Sequence, residues 1–237
     1  MNNDFMSYKV TQNYFKVVDE TIDYKRSLIM CSIGFLLFLF IGRATFVGLV
    51  GLALMGLGVY LVVSRILKIK AEKDSIPTDK QYDTEVVKKI SNLREQALNK
   101  LCIDEEEVNE IDPICFDGYV YQGASKYKCG QDNFYRTNKY EAVILFFSNS
   151  EVHRYTYTYS TTEEKKVEST EVYFYRDIVS VSTSTEEVRF GNQTFTTENF
   201  KLITAGGTAF TVSLRDTNNA QRSINAMRAL LREKKQS

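Results

Sequence analysis

Residues 27–63 read SLIMCSIGFLLFLFIGRATFVGLVGLALMGLGVYLVV, and Arg43 is the only charged residue among these 37. As one helix the run would reach about 55 Å at 1.5 Å per residue. A bilayer hydrocarbon core is about 30 Å thick, and about 20 apolar residues cross it. One straight span is too long. Gly42, Arg43, Ala44 and Thr45 interrupt the run near its middle, so the pattern predicts a transmembrane helical hairpin over 27–63. Its spans run from about Ser27 to Ile41 and from about Thr45 to Val63. The first is short and needs snorkelling flanks or a locally thinner bilayer. A signal peptide would start earlier, be shorter and end in a small-x-small cleavage site, none of which is found here.

The flanks set the orientation. Lys9, Lys16, Lys25 and Arg26 precede the run, Arg65, Lys68, Lys70 and Lys73 follow it, and the connecting loop has Arg43 alone. Lysine and arginine concentrate on the cytoplasmic side of membrane helices. Both termini are therefore expected in the cytoplasm, with the hairpin in the inner (plasma) membrane. No charged residue sits mid-span, which disfavours a transporter or proton relay. Gly48, Gly51, Gly56 and Gly58 make the second span rich in small residues, and Ala44, just before it, forms a small-xxx-small pair with Gly48. Such residues let helices approach closely. They fit either a homo-oligomer or the packing of two helices within one hairpin.

The polar remainder divides by pattern. Residues 1–26 read as a cytoplasmic or interfacial helix, with Tyr14, Val17, Val18 and Ile22 near one face. Residues 64–112 read as a juxtamembrane connector and then one amphipathic helix from Asp83 to Leu101, striped by Val86, Ile90, Leu93, Ala97 and Leu101. From 113 to 237 the period changes to two. Ala142 to Phe147 is an unbroken apolar run and is expected to be a buried strand. Glu151 to Tyr159 alternates, with His153, Tyr155, Tyr157 and Tyr159 on one face and Thr156 and Thr158 on the other. Thr170 to Tyr175 and Ile178 to Val181 read as further strands. Phe200 to Ala205 and Thr208 to Leu214 form a hairpin about Gly206 and Gly207. A closing helix, about Asn219 to Lys234, is striped by Ala220, Ile224, Met227 and Leu231. The expected fold is an α+β membrane protein: transmembrane hairpin, linker helix, and an antiparallel β-barrel or sandwich with a C-terminal helix.

The stretch from Tyr173 to Val181, then Phe200 to Thr204 and Ser223 to Arg228, resembles bacterial pleckstrin-homology-like domains. There an aromatic-x-x-Asp-Ile-x-x-Val strand, a late hairpin and a C-terminal helix recur in this order. The likeness covers roughly Ile114 to Lys235. The whole chain is similar to bacterial two-span membrane proteins with such a cytoplasmic domain. That resemblance implies a cytosolic binding or assembly module and supplies no catalytic residue.

The residues themselves offer little chemistry. Glycine-rich phosphate loops, nucleotide fingerprints and zinc-protease motifs are missing from the sequence. His153 is the only histidine, and Cys31, Cys102, Cys115 and Cys129 lack zinc-ligand spacing. No metal or cofactor is expected, and the cysteines suit reduced thiols in a cytoplasm. His153, Arg154, Tyr155 and Tyr157 are the candidate ligand or interface patch, against a plain reading as an aromatic strand face. After residue 63 there are 25 basic and 26 acidic residues with no basic stripe, which disfavours nucleic acid. The expected partners are the lipid bilayer and either a protein or further copies of the chain. The function read from the sequence is a non-enzymatic, membrane-anchored binding or assembly module. The alternative is an oligomeric effector that perturbs or perforates the membrane when its cytoplasmic domain senses a signal, as in some bacterial defence systems.

Overall fold

The computed structural model of the chain describes residues 2–22, 24–40, 46–190, 193–215 and 217–236. Two compact units emerge: Lys16–Thr78, and Met1–Phe15 together with Asp79–Ser237.

The first unit is apolar and helical. Helix α2 (Tyr24–Phe40) packs along α3 (Phe46–Asp74). Their crossing is set by reciprocal contact of two glycines: a Cβ on Gly51 would lie 2.6 Å from the Gly34 carbonyl oxygen, and one on Gly34 would lie 2.5 Å from that of Gly51. Backbones can touch this closely only without side chains. Among the described residues one helix is long and apolar enough to cross a membrane, Gly48–Asp74, and only 11% of its apolar window is buried. A core helix of a soluble domain would be covered. Helix α2 is apolar along most of its 17 residues. Helix α3 continues past Val63 as a charged extension, where Arg65 pairs with Asp19 (3.5 Å) and Lys73 with Glu20 (2.7 Å).

The second unit is built on a four-stranded antiparallel sheet, β1 (Ile114–Tyr119), β4 (Lys139–Phe147), β5 (Glu151–Ser160) and β6 (Lys166–Phe174), in that order. A three-stranded sheet follows, β7 (Ile178–Phe190), β8 (Gln193–Thr204) and β9 (Gly207–Ser213), and a small hairpin of β2 (Tyr127–Cys129) and β3 (Tyr135–Thr137) is inserted after β1. Helix α6 (Thr217–Lys234) closes the chain.

Strand β4 explains the layering. Its odd-numbered residues Val143, Leu145 and Phe147 join Ile114, Phe116 and Val152 in a core with Ile178, Phe200, Leu202 and Val212 of the second sheet and Ile224, Met227 and Leu231 of α6. Its even-numbered residues Ala142, Ile144 and Phe146 face Leu93 and Ala97 of α5 (Leu93–Leu101). Each large apolar side chain so buried contributes about 1.5–3 kcal/mol. The unbroken apolar run is thus a strand covered by a sheet on one side and by helices on the other.

Four details depart from the sequence pattern. The N-terminal helix ends at Tyr14 and residues 16–22 are not helical, so Tyr14, Val17, Val18 and Ile22 do not share a helix face, and Val17 is exposed. The stripe from Val86 to Leu101 belongs to two helices, α4 (Asp79–Lys88) and α5, separated by i→i+3 bonds at Lys89, Ile90 and Ser91. Ser91 and Asn92 favour such breaks, because their side chains compete for backbone hydrogen bonds. The late hairpin turns at Ala205 and Gly206, one residue earlier than the paired glycines indicate, with Gly207 taking φ +116°. Strand β7 runs to Phe190, well beyond Val181, because its polar second half pairs with an equally polar part of β8.

Gly118 closes the corner between the sheets. A Cβ there would run into the backbone carbonyl of Ser213, which no side-chain rotation can relieve. Gly118→Ala is therefore expected to destabilise the β unit by about 1–3 kcal/mol, in the manner of an overpacked core. Gly56→Ala, in open space, should stay within about 0.5 kcal/mol. Denaturant unfolding of the full chain in detergent distinguishes the two.

Candidate functional site

Tyr119, Tyr140 and Tyr159 stand opposite one another on β1, β4 and β5, forming one row across the sheet. Tyrosine is favoured on such a face because its ring buries like an apolar residue, but its hydroxyl then needs a partner. Each finds one. Tyr119 donates to Asp83 Oδ1 (2.6 Å), Tyr140 to Asp117 and Tyr159 to the Val86 carbonyl (2.6 Å). Two of these three acceptors lie on α4, so the row holds that helix to the sheet.

Helix α1 (Asn2–Tyr14) completes the layer. The Tyr14 ring stacks on Tyr82 of α4 with centroids 4.1 Å apart and planes 12° off parallel. Tyr14 donates its hydroxyl to Asp79 Oδ1 (2.7 Å), and Tyr82 donates to the Thr137 carbonyl (2.8 Å). Thr11 bonds to the Thr161 carbonyl, and Gln12 donates to that of Thr162 (2.7 Å). Lys128 covers the Tyr14 ring at 4.3 Å and donates to the Tyr14 carbonyl (3.1 Å).

A buried cation ties these parts together. Arg136 of β3 is 3% exposed and donates to both oxygens of Asp83 (2.8 and 2.8 Å) and both of Asp132 (2.9 and 2.7 Å). Bidentate guanidinium–carboxylate pairs are the strongest and most directional of the common ion pairs. Burial pulls the Arg136 pKa down, and its bonds to Asp132 and Asp83 more than reverse this, leaving it raised. The same guanidinium holds the Asp132 carboxyl down at about 2. Burial raises Tyr14, Tyr82 and Tyr119, reinforced by the Asp79 hydrogen bond at Tyr14 and by the nearby Asp83 charge at Tyr119. Three aromatic rings and one fork of charge therefore clasp α1 and α4 to the β unit.

The residues singled out from the sequence do not meet at one site. His153 shares its face with Phe146 and Val172, 9% exposed and 3.3 Å from Glu151, alongside buried Tyr155 and half-buried Tyr157. Arg154 points through the opposite face, donating to Glu171 (2.7 Å) and lying 4.6 Å from the Phe210 ring. The sheet separates it from the other three. In the apolar unit, Gly48 is buried, Gly51 makes the helix crossing and Gly56 has nothing within 4 Å. Ala44 lies outside the described residues.

Other surfaces are less committed. A groove of about 860 Å³ runs beside the β5–β6 turn, lined by Lys139, Tyr159, Glu163, Lys165 and Lys166. Two of its cations are paired, Lys165 with Glu163 (2.5 Å) and Lys166 with Glu168 (2.9 Å), and Lys139 donates to the Gln122 carbonyl (3.4 Å). Among the described residues, no three His, Cys, Asp or Glu side chains gather as a metal site would require. Comparison with protein-family models, curated proteins and solved structures gives no match.

Removing the cation leaves Asp83 and Asp132 facing one another. Arg136→Met is expected to cost about 1.5–3 kcal/mol, the scale of lost hydrogen bonds to charged groups, because the carboxylates left behind are partly exposed. It should release α1, seen as faster proteolysis near Tyr14. The pH response has two limits. Asp132 is held low, so its contribution is fully present above the ordinary carboxyl value of about 3.9 and is lost as pH falls towards 2. The tyrosines are raised, so theirs is intact below about pH 10 and lost as pH climbs further. Proteolytic release of α1, followed across pH, should be slow between these limits and fast outside them.

Proposed function

We propose that this chain is a membrane-anchored, non-enzymatic binding and assembly module: a two-span hairpin in the inner membrane, carrying a cytoplasmic pleckstrin-homology-like domain that engages a protein or peptide close to the bilayer. Four strands, then three, then a C-terminal helix support the domain reading, as does the corner at Gly118.

One contact carries the anchoring argument. Tyr14 and Asp79 flank the apolar unit in sequence, and within the β unit they are hydrogen bonded at 2.7 Å. A chain that leaves at Phe15 must come back to where it left. If residues 16–78 enter a bilayer, they cross it an even number of times, and two helices give two crossings. Helix α2 then serves as the partner span to α3, closing the hairpin through Gly34 and Gly51. The positive flanks favour the cytoplasm for both ends.

A second reading, the membrane-perturbing effector, draws on Gly56. Its outward side is open, so another hairpin could approach there without steric conflict. Leakage of dye from vesicles carrying the purified protein would favour the effector, and sustained tightness favours the module.

The topology is tested with a phosphatase reporter, active only outside the cytoplasm. Fusions at either end of the chain should be inactive, and an insertion after Arg43 should be active. An active C-terminal fusion beside an inactive N-terminal one would mean a single crossing and would overturn the proposal.

A further inference from the structure

Among the described residues, one edge of the four-stranded sheet has no neighbour. Strand β6 lies last in the order β1, β4, β5, β6, and its nine residues pair with β5 without a shift of register. Just beyond its ends, Ser160 donates its backbone N–H to the Lys165 carbonyl (2.8 Å), and Tyr175 donates to the Ser150 carbonyl (3.2 Å). Along an antiparallel strand the residues bonded to a given neighbour alternate. The odd-numbered residues of β6 therefore bond to β5. Lys166, Glu168, Thr170, Val172 and Phe174 turn their N–H and C=O groups outward, and among the described residues no hydrogen bond reaches them.

The other strand edges differ. Strands β1 and β9 meet at the corner closed by Gly118 and Ser213, and β7 receives a bond from Arg228 of α6 at its Val181 carbonyl and is polar beyond it. Proteins commonly guard an exposed edge with a short strand, a bulge, a proline or charges that project across it. Strand β6 is long, regular and free of proline. Its charges are turned back onto the protein. Glu171 accepts from Arg154 (2.7 Å) and from Tyr173, and Glu168 pairs with Lys166 (2.9 Å) and Lys100 (3.6 Å). Val167, Val172 and Phe174 are exposed along the strand. A hollow of about 440 Å³ lies at its end, beside Phe174, Tyr175 and Arg176, and the groove of about 860 Å³ lies at its start, beside Lys166 and Val167.

We infer that β6 is a docking edge for an extended segment of a partner protein, which adds to the sheet as a further antiparallel strand. This rests on the module reading, to which it adds the partner's form. A row of outward N–H and C=O groups is matched by another backbone in strand conformation, and those bonds supply the affinity of strand addition. The side chains opposite supply the selectivity. A segment spanning the edge from one hollow to the other has about nine residues and is about 30 Å long.

The chemistry that suits this edge is displayed on its inner side. Strand β5 sets Arg154 opposite Glu171, His153 opposite Val172, and Tyr155, Thr156, Tyr157 and Thr158 opposite Thr170, Ser169, Glu168 and Val167. Residues directly opposite share a face of the sheet, so a strand on the outer edge meets the same row of β6 side chains. Glu171, though tied to Arg154, stays partly exposed. The partner segment is therefore basic opposite Glu171 and aromatic or β-branched along the rest. A second β6 strand suits the edge poorly, because it brings two carboxylates against one ammonium to a strand with the same excess.

The test uses the full chain in dodecyl maltoside micelles and a fluorescein-labelled synthetic peptide with the sequence of β5, EVHRYTYTYS. Fluorescence anisotropy should show saturable binding, and hydrogen exchange across residues 166–174 should slow when the peptide is present. The same peptide interrupted by a central proline should not bind. Thr170→Pro removes one outward N–H and spares the bonds to β5, so it should weaken binding by about tenfold. Thr170→Val keeps that N–H and should bind within about twofold of the unaltered chain. The exchange footprint stands in for Thr170→Pro if that variant unfolds. No binding, or binding that Thr170→Pro in a folded chain leaves unchanged, would overturn the docking edge. So would slow exchange of 166–174 in the free chain that quickens on dilution, which would place a second copy there. None of these results bears on the reporter fusions or the vesicle leakage, by which the anchored module is judged separately.

Discussion

The stacking of Tyr14 on Tyr82 is the contact on which the rest of the molecule depends. It joins the last residue of the first helix to the helix that resumes the chain more than sixty residues later. Rings alone would make this an ordinary aromatic contact. What makes it specific is that Tyr14, Tyr82, Tyr119, Tyr140 and Tyr159 each reach an acceptor. A buried hydroxyl without a partner costs about 1–3 kcal/mol, so a shifted helix would lose several partners at once.

Arg136 gives the arrangement its orientation. The guanidinium sits between Asp83 on a helix and Asp132 in the turn before its own strand, so helix and hairpin are held in one geometry. Buried ion pairs often contribute little net stability, because desolvation opposes the attraction. Their use here is positional: the fork accepts one alignment of two carboxylates and disfavours neighbouring ones. The four-stranded sheet is thereby covered on both faces by unlike materials, an apolar sheet and helix on one and a polar-tipped aromatic layer on the other.

Local patterns exposed much of the fold. Apolar runs marked β4 and the membrane-like helices, alternation marked β5, and a three-to-four-residue stripe marked α6. Each depends on neighbours along the chain. The clasp does not: Thr11 meets Thr161, and Asp83 meets Arg136, at separations where no periodicity operates. Thr161 and Thr162 resemble ordinary turn residues, yet both are fully covered because α1 lies over them. His153 and Arg154 show the opposite problem. Adjacent polar residues look like one patch in a sequence, but a strand turns them to opposite faces. The density of tyrosine between residues 119 and 175 was the available clue, and its meaning required knowing which strands lie side by side.

The separation of 150 residues between Thr11 and Thr161 also orders events in time. During synthesis α1 is made well before the surface that seats it, which is not finished until the turn after β5 has been made. In that interval the helix lacks the carbonyls of Thr161 and Thr162 that hold it. An element made early in this stretch is thus seated only after one made much later.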